Sequence, residues 1–365
     1  MPVTATTRLQ FFWRDSTVPR GMRSGVSLHS HTMYSQEGFE VIPDWIIRMG
    51  KLKLFGEPVQ HKFEFRRGFW TPPLAPRQAY RLEEKQIERE FDLPALVSLT
   101  DHDDIRAGST LRILPRFSHI PVSTEWTIPY GPTFFHLGVH NLRPESAGTI
   151  MRDLASYTSS PAPRRVRELL ASLVADPEIL IVLNHPLWDE KHIGQAEHET
   201  VLTRFLEEHG RSLHALELNG LRSAEENQRV TELAAAWNLV AVAGGDRHGL
   251  EPNALVNLSR AATFAEFVDE IRCRRFSHVV YMPQYQLPLS LRVLHTVVDV
   301  LRDYPENFEG RRTWGDRVFY RDAETADPVP FASVWAPGTV GFVRRLLLAT
   351  RLVDRRRPSV ILTGA

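Results

Sequence analysis

"GVSLHSHTMYSQEG", residues 25–38, places His29 and His31 two apart at the end of a short β-prone run. Alternate side chains of a strand share a face. The two imidazoles therefore lie side by side, with Leu28 and Ser30 facing the other way. Paired imidazoles repel when protonated and gain little from stacking. They make chemical sense as neutral rings sharing a cation. The same pair can also be two polar residues of a surface loop, so the rest of the chain decides.

Working outward, short apolar runs alternate with helix-like stretches. The runs are 25–29, 93–100, 120–126, 133–140, 178–184, 213–219 and 239–245, with "FSHVVYM" (276–282) as an eighth. Between them lie "VIPDWIIRMGKL" (41–52), "EHETVLTRFLEEHG" (197–210), "SAEENQRVTELAAAWN" (223–238) and "TFAEFVDEIRCRR" (263–275). Ser223 followed by Glu226 reads as a helix-capping box. Apolar strands alternating with helices predict a parallel sheet. Seven or eight units predict an α/β fold, a distorted (β/α)7 TIM-like barrel, with a doubly wound open sheet as the second architecture.

The chain has 365 residues. A β/α barrel takes about 250, leaving an N-terminal extension (1–24), a barrel (25–289) and a C-terminal helical and irregular extension (290–365). Residues 51–92, with "HKFEFRRGFWTPPLAPRQAY", read as a long ordered insertion, either a lid or a decoration. "GFVRRLLLATRLVDRRR" (341–357) reads as a basic amphipathic helix that docks on protein.

Lys plus Arg and Asp plus Glu number 44 each. No global field draws the protein to nucleic acid or to an anionic membrane, so no stable nucleic-acid complex is expected. Cys273 is the single cysteine, which excludes an internal disulfide and a thiolate metal cluster. No run approaches the ~18 apolar residues of a membrane span, and the N-terminus has no signal-peptide h-region. A cytoplasmic enzyme is the expectation.

The strand-like runs end in chemistry. After His29 and His31 come Asp101 and His102 in "SLTDHDD", Glu125, His136 in "FFHLG", His185 in "LNHP", and Asp246 and His248 in "GGDRH". At strand C-termini of a parallel barrel such residues converge on one face. Any one of them alone is as well read as an ordinary core or loop residue. Solvent-side turns more often use Gly, Asn, Pro and Ser, so the set as a whole points to a site. Asp246 and His248 share a face, with Arg247 pointing away. Imidazole and carboxylate without thiolate suit zinc, manganese or iron. One tetrahedral ion needs four ligands, so this count predicts two or three divalent ions, with Glu125 able to bridge. Ions about 3.5–4 Å apart cleave phosphate esters with an activated water. Arg66, Arg67, Arg106 and Lys191 are the cations in loops near strand ends that could bind a phosphate.

The motif order "LHSHT", "LTDHD", "STEWT", "NHP" and "GGDRH", with "FFHLG", resembles the PHP domain, the polymerase and histidinol phosphatase family, over residues 25 to 275. The resemblance implies a metal-dependent phosphoesterase on a distorted seven-stranded barrel. It assigns one ion to His29, His31, Glu125 and Asp246, and a second to Glu125, His136 and His185. A third falls to His102, His248 and Glu37, with Asp101 behind them. Ser27, where the family has an acid, Gln36–Glu37, where it has Asp or His, and Asn184, where a small residue is common, depart from its pattern. The expected substrate is a small phosphomonoester, nucleotide or short oligonucleotide. A binuclear amidohydrolase attacking a carbonyl carbon is the alternative enzyme; its bridging residue is typically lysine. A non-catalytic metal-binding module is the third reading.

Overall fold

The computed structural model of the chain describes residues 4–38, 67–305, 309–322, 325, 327–330 and 333. The helix expected at 41–52, the basic helix at 341–357, Arg66 and residues 51–66 of the insertion lie outside the described residues.

The chain begins with β1 (Thr6–Phe11), β2 (Ser24–Ser27), a two-residue β3 (Glu37–Gly38) and β4 (Gly68–Trp70). Helix α1 (Pro76–Phe91) precedes β5 (Ala95–Val97), and α2 (Arg106–Leu111) precedes β6 (Val122–Tyr130) and β7 (Thr133–Leu142). Helices α3 (Pro144–Ser159) and α4 (Pro163–Ala175) lead to β8 (Leu180–Asn184). Then come α5 (Gln195–His209), β9 (Ala215–Asn219), α6 (Ala224–Ala236), β10 (Val240–Gly244), β11 (Leu255–Ser259), α7 (Phe264–Arg272) and β12 (Phe276–Tyr281). Helix α8 (Leu289–Leu301), β13 (Val318–Arg321) and β14 (Pro328–Pro330) complete the order.

The fold is mixed α/β, with three sheets. The first runs β1-β12-β11-β2-β5, the second β10-β9-β8-β7-β6 and the third β14-β13-β4-β3. The expected all-parallel sheet is corrected: β6–β7, β7–β8, β2–β11 and β11–β12 are antiparallel. For β6–β7 the reason is length. Only residues 131 and 132 separate β6 from β7, with Gly131 at φ 58°; a parallel pair needs a crossover of about a dozen residues. The seven-stranded closed barrel is not shown as such. Two single bridges instead join the first two sheets, Ser30 to Arg247 and His102 to Glu125, both parallel.

Strands β8, β9 and β10 are buried throughout, as expected for strands covered on both faces. Trp126 of β6 is fully buried against α3, its indole N–H donating to the Leu154 carbonyl (3.2 Å) and Thr158 Oγ1 (3.0 Å). Ser223 caps α6 by accepting from the Glu226 N–H (3.1 Å), and Thr263 caps α7 in the same way (3.2 Å).

Residues 76–91 of the insertion form a four-turn helix, α1. It starts with Pro76, the residue suited to a first helical position. Its buried side is Ala79, Tyr80, Glu83, Gln86, Ile87 and Phe91. The third sheet joins distant segments: Glu37 pairs with Trp70, which pairs with Val318. The segment ahead of residue 25 supplies β1, which pairs in parallel with β12. Among the described residues no helix is long and apolar enough to cross a membrane.

Candidate metal centre

The two bridges between sheets flank one buried cluster. His29 and His31 follow β2, Glu125 lies on β6, and Asp246 follows β10. His29 Nε2 is 3.0 Å from His31 Nε2, 3.1 Å from Glu125 Oε2 and 3.7 Å from Asp246 Oδ1. His31 Nε2 is 3.4 Å from Glu125 Oε2 and 3.5 Å from Asp246 Oδ1. Four ligands about 2.0–2.1 Å from a tetrahedral ion stand about 3.3–3.4 Å from one another.

The backing of each ring settles which atom faces inward. His29 Nδ1 lies 2.8 Å from Glu217 Oε1. A carboxylate accepts only, so Nδ1 carries the proton and Nε2 presents a lone pair. His31 Nδ1 is engaged by Ser35 Oγ (3.0 Å), which leaves its Nε2 inward. Asn219 Nδ2 donates to Asp246 Oδ2 (3.0 Å) and to Glu217 Oε1 (3.2 Å), turning Asp246 Oδ1 toward the histidines. His29, His31 and Glu125 turn their ligand atoms to one another, with Asp246 Oδ1 within 3.7 Å of both imidazoles; such a buried donor set fits a divalent metal.

Two further groups adjoin it. His102 Nδ1 is 3.1 Å from Glu125 Oε2, and its Nε2 is 3.1 Å from Glu37 Oε2. His248 Nε2 lies 3.4 Å and His31 Nδ1 3.6 Å from Glu37 Oε1. On the other oxygen of Glu125, Oε1, sit Asn184 Nδ2 (2.9 Å), His185 Nε2 (3.2 Å) and His136 Nδ1 (3.6 Å). Glu125 therefore touches both groups through different oxygens. Asp101 lies behind the cluster. Its Oδ1 accepts from the Thr32 N–H (2.5 Å) and its Oδ2 from the Thr32 hydroxyl (2.7 Å), pinning the turn that follows His31.

The electrostatics have the signature of coupled opposite charges. Burial disfavours a charged His29, yet without a cation Glu125, Glu217 and Asp246 outweigh it and hold its pKa well above the usual range; a metal on Nε2 would take the place of that proton. Burial likewise opposes a charged Glu125, but His29, His102 and His136 hold its carboxyl well below the usual range. His31, buried and beside His248, is pushed down to about 4. Burial pushes Asp101 up to about 7. His185 and Asp246 have positive φ, 28° and 51°, a conformation uncommon outside glycine that collects at functional sites.

Of the sequence-derived cations, Arg67 stacks on Tyr320 (4.8 Å) and donates to the Arg321 carbonyl (2.6 Å). Arg106 is held by Asp104 (2.6 Å) over the Tyr34 ring (4.4 Å). These two are committed to local partners and are not brought into the cluster. Lys191 lies 4.9 Å over the Phe134 ring, at the edge of a small recess lined by Phe134, Phe135, His136, Asn184, His185, Trp188 and Glu190.

Four site residues escaped the sequence reading, one of them Asn219, which orients Asp246. Glu217 orders His29 and also accepts the His185 N–H (3.0 Å). A glutamate in the covered run "LHALELN" was its available signal. Arg222 packs its guanidinium 3.7 Å over Trp188, whose ring lies 5.1 Å from that of His185; burial lowers its pKa. Glu190, on the loop after β8, is pushed up to about 7 by burial. The last two sit in loops and carry no periodic signal.

No protein-family model matches this chain, and no curated protein sequence does. Among solved structures, a protein from Bifidobacterium adolescentis provisionally assigned as a metal-dependent phosphoesterase aligns with 70% of this chain and 98% of its own. The identity is 14% and the TM-score 0.36. PsfC from Pseudomonas syringae PB-5123 aligns over 61% of this chain and 88% of its own, at 16% identity and a TM-score of 0.41. An amidohydrolase from Chromobacterium violaceum, with bound sulfate and no metal, covers 49% and 84%, at 17% identity and a TM-score of 0.31. The donor geometry of this chain, not these likenesses, supports the functional reading below.

Proposed function

We propose that this chain is a metal-dependent phosphoesterase that hydrolyses a small phosphomonoester, a nucleotide or a short oligonucleotide. The observation that carries the reading is the convergence of the His29 and His31 Nε2 atoms, 3.0 Å apart, on Glu125 Oε2 at 3.1 and 3.4 Å and on Asp246 Oδ1 at 3.7 and 3.5 Å. The PHP-like motif order supports the ester chemistry. His136 and His185 would join Glu125 at a second ion, and His102, His248 and Glu37 would hold a third. Manganese, zinc or iron fits imidazole with carboxylate. Ions bound there supply Lewis acidity toward phosphoryl oxygens and acidify a water.

The chain's own residues do the positioning. Glu217 fixes the His29 tautomer, Asn184 and Asn219 orient the two carboxylates, and Asp101 fixes the turn carrying His31. A guanidinium matches phosphate oxygens in a bidentate fork. Arg222 stacks on Trp188 beside the recess, and it suits that role better than Arg67 or Arg106. Glu125 stands where a binuclear amidohydrolase typically places a lysine, which weighs for the phosphoesterase.

The test is turnover by chelator-treated protein reloaded with Mn²⁺ or Zn²⁺, on an aryl phosphate, a panel of nucleotides and an aryl amide. Metal-dependent release from phosphate esters is expected, lost in His29→Ala and in Asp246→Ala. Turnover of the amide alone would transfer the chain to the amidohydrolases, and metal binding without turnover of either would make it a binding module.

A further inference from the structure

Resting on the metal-centre reading above, we propose that Glu190 is an additional ligand of the ion held by Glu125, His136 and His185. Two buried atoms motivate it. Glu190 Oε2 and His136 Nδ1 have no hydrogen-bond partner, and they face each other across 4.0 Å. That separation is too long for an N–H···O hydrogen bond, which spans about 2.7–3.2 Å. It is within the ~4.2 Å that two ligands of one ion can span when each bond is about 2.1 Å. A buried carboxylate oxygen and imidazole nitrogen left without partners each carry a desolvation penalty, and a shared cation removes both.

The loop is built to hold the carboxylate there. The Trp188 N–H donates to the His185 carbonyl (3.0 Å), and the Glu190 N–H to the Trp188 carbonyl (3.1 Å). The Asp189 carboxylate accepts the N–H groups of Ile193 (3.0 Å) and Gly194 (2.7 Å), pinning the far side of the turn. The Trp188 ring meets His185 nearly edge-on, at 75°. Glu190 and both histidines line the same recess. A preorganised ligand loop of this kind leaves little for the ion to order when it binds.

The experiment is calorimetric titration of chelator-treated wild type and Glu190→Gln with Mn²⁺, together with the visible spectrum of each protein loaded with Co²⁺. The expected result is that one class of ion binds Glu190→Gln at least ~10-fold more weakly, on the order of the losses caused even by altering groups that only support ligands. A changed cobalt d–d spectrum should accompany it. Equal stoichiometry, affinities and spectra in the two proteins would overturn the inference while leaving the metal centre intact. If wild type binds no divalent ion, the metal-centre reading falls and takes this inference with it. Should Glu190→Gln fail to fold, judged by its melting curve without metal, Glu190→Asp is titrated instead and the same weakening is expected.

Discussion

Gly244 ends β10 where a Cβ would collide with the Glu217 carboxylate. Glu217 holds the proton-bearing nitrogen of His29 and the backbone of His185, so one missing methyl keeps two proposed ligands aimed. Gly244→Ala should push Glu217 aside and weaken divalent-ion binding by about 10–100-fold, read by calorimetric titration. An unchanged affinity would show that Glu217 is not what orients His29. At this scale much of the cluster was legible. His29 and His31, just past the end of β2, reach the cluster together, and Arg247 points away from Asp246 and His248, reaching Glu83 instead. Glu217 was missed although it stands out as a charged residue in a strand covered on both faces. Glu190 and Arg222 were out of reach because no periodicity governs which way a loop side chain turns.

Helix α1 shows how an element can hide in a sequence. Its buried side is interrupted by Glu83, and the segment ahead of it is rich in proline and aromatic residues, so the stretch reads as a loop. In the structure Glu83 is the anchor. Its carboxylate meets the buried guanidinium of Arg247 (2.8 Å), and Arg247 also donates to the carbonyls of Gly249 (2.5 Å) and Ala79 (3.3 Å). The helix thereby holds the turn between Asp246 and His248. Removing one partner of a buried pair leaves the other charge uncompensated, a loss of about 3–5 kcal/mol. Glu83→Ala should lower urea stability by that order. A loss below about 1 kcal/mol, the range of exposed pairs, would mean that the Arg247 guanidinium finds water or another acceptor. The β6–β7 hairpin carries the complementary lesson. Both strands were visible as apolar runs, but their antiparallel pairing follows from the shortness of the turn, which no apolar pattern records.

For the whole molecule, the centre lies where three sheets meet. Residues 25–31, 101–125 and 240–248 bring two of them together at the bridges, and Glu37 comes from the third, which β13 near the far end of the chain helps to build. Leu250 donates to Asp299 of α8 (2.8 Å), so the described part of the C-terminal segment packs beside the site. That long-range assembly could not be read from local pattern.

Folding also buries a histidine behind the proposed ligands. His140, on β7, is bound to Ser98 Oγ (2.8 Å). Burial first, and then the nearby His29, push its pKa down to about 3. The unfolded chain binds that proton near pH 6.5 and the folded chain does not, so this contribution is full above pH 6.5 and is lost as the pH falls toward 3. Urea stability should decline between pH 6 and 4 with a slope in which His140 accounts for up to about 1.4 kcal/mol per pH unit. His140→Gln should remove that share; an unchanged slope would show that His140 takes up its proton without unfolding.

The central claim is that imidazoles and carboxylates on β6 and just past the ends of β2 and β10 hold divalent cations. Its most direct measurement is the metal stoichiometry of the purified chain after chelation and reloading with Mn²⁺ or Zn²⁺, by elemental analysis of the desalted protein. Two or more ions per chain are predicted in wild type, with fewer in Asp246→Ala. A wild-type protein that emerges without bound metal would contradict the account.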